Sequence, residues 1–224
     1  MDGEVEVMKD KRRIMIFGVL ALMVSAIIGV GSYYWYENTY YVNTEDAKVT
    51  GDIFRASPQI TGKLLEFNVE EGQMVQKGQI LGRQEMNNLP DTSLEMSIVR
   101  APITGLVIKK QANVDEVVSP GQALVMLVDP DKLYINANLE ETKLGKIKVG
   151  QPVDISIDEY PDKKFSGKVT SIGEATAATF SMLPTSSSAN FTKVVQKISA
   201  KITFEEYDLK LLSGTNAVIK IHIK

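Results

Sequence analysis

One stretch of this chain is written twice. Residues 60–81 and 103–124, compared at an offset of 43, share Ile60/Ile103, Thr61/Thr104, Gly62/Gly105, Val75/Val118, Gly78/Gly121, Gln79/Gln122 and Leu81/Leu124. Average residue usage gives about one or two such matches in a window of that size. Each copy has an extended run (GKLLEFNV; GLVIKKQAN), a turn-rich link (EEGQMVQKG; VDEVVSPG) and a second run (QILGRQE; QALVMLVD). A strand pair of this size cannot bury an apolar face alone, whereas two copies facing each other can. The repeat therefore predicts one small β-sandwich, residues 54–129, from half-motifs 54–85 and 99–129 joined by a short link, 86–98. Gly62, Gly78, Gly105 and Gly121 are expected where φ is positive or backbones approach closely. Pro58 and Pro102 precede strands, where a missing N–H is tolerated. Positive φ at Gly105 would make Gly105→Val destabilising, because a β-branched residue resists that conformation.

The N-terminal part is of another kind. Residues 14–36 carry no charge. As a helix they would measure roughly 34 Å, enough to cross a hydrocarbon core of about 30 Å. The basic cluster KDKRR, residues 9–13, precedes this run, which places residues 1–13 in the cytoplasm and 37–224 outside it. Tyr33, Tyr34, Trp35 and Tyr36 form an aromatic belt at the outer interface. The expected product is a single-pass cell-membrane protein that contacts the lipid bilayer through residues 14–36. The rival is a cleaved signal peptide ending at Gly-Val-Gly before Ser32; the long run and the belt that continues it favour a retained anchor. Ala21, Ser25 and Gly29 share one helix face, a pattern that admits a second transmembrane helix and is also common in spans generally.

Residues 37–53 form a membrane-proximal segment. After residue 130 the runs KLYINANL, PVDISID, FSGKVTSI, VVQKISAKITF and TNAVIKIHI predict a small antiparallel barrel over 130–205. The last strand, within 206–224, returns toward the membrane-proximal part. The fold class is thus mainly β, behind one transmembrane helix. The loop 173–190, rich in Ser, Thr and Ala, is long enough to be functional or mobile.

Composition removes several functions. The net charge of −3 argues against nucleic acid. There is no cysteine, which excludes disulfides, Fe–S clusters and thiolate catalysis. The single histidine, His222, cannot supply a zinc peptidase or a Ser-His-Asp triad. The acidic pairs Glu70-Glu71, Asp115-Glu116, Glu140-Glu141 and Glu205-Glu206 read as surface charge, because strand neighbours point to opposite faces. A biotinyl or lipoyl carrier needs a lysine at the turn between the halves, and residues 84–108 contain none. No catalytic residue, metal or cofactor is expected. The sequon Asn190-Phe191-Thr192 reads as coincidence.

The paired half-motifs resemble the lipoyl-like halves of membrane fusion proteins, the periplasmic adaptors. NTEDAKVTG, SPQITGKL, NLEETKLGKIKVGQPVDI and, most specifically, FSMLPTSSSANFTKVVQKI resemble the EmrA-type branch of that family. The resemblance implies a barrel-sandwich hybrid, a polytopic exporter of major-facilitator type as partner, a homo-oligomer, and export of drugs or toxic amphiphiles. Family members usually carry a long helical hairpin between the halves. The link 86–98, with Pro90 at its middle, is too short for one, which makes an outer-membrane channel a doubtful partner. The short link fits a cell with a single membrane, an export path that ends differently, or a trimmed chain. An anchored extracytoplasmic scaffold with no transport role stays open as a second reading.

Overall fold

A computed structural model describes residues 2–85, 95–176, 195–207 and 209–223, with side chains from Gly18 onward except at Thr176. Helix α1 (Asp2–Tyr40) leads directly into strand β1 (Tyr41–Thr50). Eight strands then alternate with turns: β2 (Ile53–Ala56), β3 (Gly62–Phe67), β4 (Met74–Val75), β5 (Ile80–Gln84), β6 (Ile98–Arg100), β7 (Gly105–Lys110), β8 (Val117–Val118) and β9 (Val125–Val128). Five further strands follow: β10 (Tyr134–Glu140), β11 (Pro152–Ile157), β12 (Lys164–Thr176), β13 (Lys197–Phe204) and β14 (Asn216–His222).

The repeat becomes a pseudo-two-fold sandwich. One sheet has the order β2-β9-β7-β4 and the other β6-β5-β3-β8. Exchanging each strand of the first half for its mate in the second (β2/β6, β3/β7, β4/β8, β5/β9) converts one order into the other. Each sheet therefore borrows two strands from each half, so neither half is complete alone. The backbone obeys the same exchange. Leu64 N–H donates to the Glu116 carbonyl at 2.8 Å, and its mate Val107 N–H donates to the Gln73 carbonyl at 2.9 Å. Leu64, Leu81, Val118, Leu124 and Leu127 fill the space between the sheets with almost no exposure.

The second unit is a closed barrel in the order β1-β10-β13-β12-β11-β14. Its strands alternate inward apolar and outward polar residues, so Ile135, Ile155, Ile202, Ile219 and Ile221 are fully buried. Each such side chain contributes about 1.5–3 kcal/mol by its burial. Around the barrel Tyr41 pairs with His222, the β14–β11 ladder continued one residue past Ile221–Val153 leads to Pro152, and the pairs Pro152–Lys168, Lys168–Thr203, Thr203–Tyr134 and Tyr134–Thr50 lead back to β1, a stagger of about nine residues. Such a stagger is what tilts the strands and lets so few of them close.

The barrel differs from the sequence-based expectation at its ends. Five runs were expected after residue 130, four of them within 130–205 and the fifth in the returning segment 206–224, and the closed barrel has six strands. β1, expected as a plain membrane-proximal segment, is one of them, and β14 pairs with β1 on one side and β11 on the other. The helix likewise runs past residue 36 to Tyr40. β12 extends to Thr176, into the expected loop 173–190. The rest of that loop, the sequon and residues 86–94 of the link lie outside the described residues.

Candidate functional site at the membrane-proximal joint

No residue separates α1 from β1, so the helix end must be satisfied where it stands. The last carbonyls of a helix lack intrahelical donors, and the final turn of α1 carries no basic residue of its own. The barrel supplies both. Ile223 N–H donates to the Tyr40 carbonyl at 2.9 Å. Lys146, from the 3₁₀ turn at Glu141–Lys146, donates through Nζ to the Asn38 carbonyl at 3.3 Å.

Side chains add a second tie. Glu37 Oε1 accepts from Lys220 Nζ at 2.7 Å and from Asn43 Nδ2 at 3.0 Å. The hydrogen bond to that carboxylate holds the Lys220 ammonium above its ordinary pKa. Lys220 Nζ also lies 4.0 Å from the Tyr41 ring centroid. Tyr41 stands edge-on to His222 at 4.9 Å, and His222 Nε2 is 2.8 Å from Asp154 Oδ2. His222 is thus part of a collar around the helix exit. Tyr36 stacks on Tyr40 at 4.6 Å, while Tyr33, Tyr34 and Trp35 stay largely exposed where the belt was expected. Residues 18–40 form one helix long and apolar enough to cross a membrane. Among the described residues no three His, Asp or Glu side chains converge as metal ligands would.

The glycines and prolines singled out in the repeat fall into three groups. Gly78 and Gly121 have φ of +83° and +87°. Each sits third in a turn whose fourth residue, Gln79 or Gln122, accepts through Oε1 from the backbone N–H of the first, Gln76 or Ser119, at 2.9 and 3.3 Å. Gly62 and Gly105 do not have positive φ, which corrects the reason given for Gly105. They open β3 and β7 where another chain segment crosses. A Cβ at Gly62 would lie 2.8 Å from the Glu85 carbonyl oxygen, and one at Gly105 would lie 2.5 Å from that of Val128. Pro58 and Pro102 lie outside the strands, ahead of β3 and β7. Ala21, Ser25 and Gly29 are exposed, with nothing within 4 Å of a Cβ at Gly29.

Of the acidic pairs, Glu71 accepts from Lys110 N–H at 2.9 Å, and Asp115 pairs with Lys63 at 2.7 Å. Both hold turns of the sandwich. The sequence reading missed Glu37, Asn43, Lys146 and Lys220. Their partners lie up to 183 positions away along the chain, and a lysine on the outward phase of a strand gives no sign of what it faces.

Comparison with known proteins gives a consistent result. Residues 52–130 match the family model described as "RND MFP, barrel-sandwich hybrid domain", and residues 133–221 match "YknX-like beta-barrel domain". The chain is 37% identical over 214 residues to the putative efflux system component YhbJ of Bacillus subtilis, covering 95% of this chain and 94% of that protein. To the multidrug export protein EmrA of Escherichia coli it is 32% identical over 135 residues, covering 58% of this chain and 35% of EmrA. It thus spans nearly all of the first relative and about a third of the second. Among solved structures, the periplasmic adaptor protein EmrA superposes with a TM-score of 0.56 at 17% identity, over 83% of this chain and 99% of that one. The membrane fusion protein Spr0693 from Streptococcus pneumoniae superposes with a TM-score of 0.60 at 18% identity, over 82% and 99%. At these identities the likeness is one of fold.

Proposed function

The chain belongs to the membrane fusion protein family, the adaptors of efflux systems, and from that premise we propose that it is the anchored adaptor subunit of a drug exporter of major-facilitator type. Its N-terminus lies in the cytoplasm, its β domains lie outside, and the exported compounds are hydrophobic drugs or toxic amphiphiles. The observation that carries this reading is the unbroken passage from α1 into the barrel, fixed by Ile223, Lys146 and Lys220. An anchor on a flexible tether would leave the barrel at any height. This one holds it at a set height above the bilayer, where the outer face of a polytopic partner stands.

The cluster at residues 9–13 supports the orientation. The likeness to EmrA, a multidrug export protein, and to YhbJ, a putative efflux system component, supports export. Ala21, Ser25 and Gly29 offer a face for an exporter helix. Several copies around one exporter would meet through the sandwich and barrel edges. A short link in place of a hairpin argues for a path that does not dock directly on an outer-membrane channel.

The test is affinity capture of the full-length protein from native membranes in mild detergent, with mass-spectrometric identification. Enrichment of a major-facilitator permease over a version lacking residues 37–224 is the expected result. Recovery of the protein alone, under conditions that keep a known membrane complex intact, would favour an anchored scaffold.

A further inference from the structure

We propose that the cleft between the end of α1 and the lysine-bearing turn after β10 binds the anionic headgroup of a phospholipid in the extracytoplasmic leaflet. The cleft, of about 460 Å³, is lined by Trp35, Asn38 and Thr39 of the helix, by Lys146 and Lys148, and by Ile223 at the end of the C-terminal strand. No acidic side chain lines it. Glu140 is matched by Lys143 at 3.2 Å and Glu37 by Lys220 at 2.7 Å, and the exposed Glu141 of the same turn is not part of the lining. Among the described residues Lys146 and Lys148 make no ion pair, although Lys146 Nζ donates to the Asn38 carbonyl at 3.3 Å. Both keep a positive charge that no carboxylate in contact offsets.

The height of the cleft identifies the ligand. The headgroup layer beyond each side of the hydrocarbon core is about 5–7 Å thick, which at 1.5 Å per residue is four or so helical residues. The belt at Tyr33–Tyr36 marks the start of that layer, so Trp35 to Thr39 lie within it, and so does whatever packs on them. Strand register puts the turn there independently. Val153, just after the turn, is level with Ile221, which is level with Val42 beside the helix exit. The turn itself is built to be presented. Lys148 N–H donates to Gln151 Oε1 at 2.9 Å, Gly150 takes φ of +92°, and Val149 between them is 62% exposed. A lysine beside an exposed valine is the pairing that suits a headgroup above and acyl chains below.

This inference rests on α1 spanning the membrane, and not on the identity of any exporter. It is tested on the full-length protein in nanodiscs of phosphatidylcholine mixed with phosphatidylglycerol, with lipids retained after mild delipidation counted by native mass spectrometry. The wild type should retain phosphatidylglycerol in excess of its share. Lys148→Gln and Lys146→Gln should each cut that excess roughly fivefold, the weight of one lysine near an anionic surface. Lys163→Gln, which removes the same charge from the exposed turn between β11 and β12 at the far end of β11 from the cleft, should leave it unchanged. Retention in the bulk ratio by the wild type, or an equal loss in Lys163→Gln, would overturn the proposal. Extraction of the wild type from membranes by alkaline carbonate would instead overturn the spanning reading beneath it.

Discussion

Gly105 and Gly121 occupy matched series of the repeat, but they need to be glycine for different physical reasons, and substitution separates them. At Gly121 the space around a Cβ is open and only the positive φ resists it. Gly121→Ala should therefore cost about 1–2 kcal/mol, and Gly121→Asn less, because asparagine tolerates the left-handed region. At Gly105 the obstacle is the Val128 carbonyl, a backbone atom that cannot swing aside. Gly105→Ala should cost about 2–3 kcal/mol, in the range of other overpacked sites, with asparagine no milder than alanine. Thermal unfolding of the full-length variants measures both. A mild Gly105→Asn would show that φ and not crowding governs that position. The matches at these places were readable in the sequence, whereas the choice between φ and crowding was not. Crowding depends on a segment 23 residues downstream. The same holds for the turns. Residue 115, the counterpart of Gly72 at the 43-residue offset, is an aspartate that takes φ of 72°. The next residue in each copy, Gln73 or Glu116, caps the turn alike. A residue-by-residue comparison registers two mismatches where the backbone repeats itself.

Strands that obey strict alternation were legible, and β1 was not. β11 and β14 alternate without a break, and their sequences announce it. β1 buries only Val42, Ala47 and Val49, and its register against β14 slips between Thr44 and Ala47. A bulge of that kind shifts the phase of alternation, so YVNTEDAKVT reads as a polar segment. The bulge brings a useful clasp with it. Asp46 accepts from Lys197 Nζ at 2.6 Å and from Asn138 Nδ2 at 3.1 Å, joining β1, β10 and β13. The Lys197 hydrogen bond, then that from Asn138, holds the Asp46 carboxyl below its ordinary value of 3.8. A carboxyl whose pKa is lowered by folding adds stability above its unfolded value and loses it as pH falls through the folded one. Denaturant unfolding of wild type and Lys197→Met should therefore differ near neutral pH and converge in acid, once the pH has fallen through the lowered Asp46 pKa. Both partners are partly exposed, so the gap should stay under about 1 kcal/mol. A gap that persisted undiminished into strong acid would assign the effect to the lysine's alkyl chain instead of to the ion pair.

At the scale of the whole molecule, the chain places one domain inside another. Thr50 and Tyr134 are paired neighbours on adjacent barrel strands, so the entire sandwich is an insertion into a β1–β10 hairpin. The sequence showed the sandwich as a repeat and the barrel as a run of strands, but the nesting depends on β1 and β14 meeting across nearly the full length of the chain. No local pattern records that. Nesting makes the two domains separable in a defined way. Replacing residues 51–133 by Asn-Gly joins Thr50 to Tyr134 through a two-residue turn suited to such a hairpin. The product should keep α1 and a cooperatively unfolding barrel. Its stability should fall, because Leu106, Val128 and Leu133 leave the apolar cluster they share with Val49 and Ile135. Removing β14 should do far more harm, although it takes far fewer residues. It strips Ala217, Ile219 and Ile221 from the barrel interior and leaves β1 and β11 as open edges. Circular dichroism melts of the two deletions decide between nested and fused domains. If the sandwich deletion loses cooperativity as completely as the β14 deletion, the two domains fold as one unit. If it keeps its melt, the barrel-only protein becomes the tool for asking which domain meets the exporter. Retained capture of a permease would assign the contact to the barrel and helix, and lost capture would assign it to the sandwich.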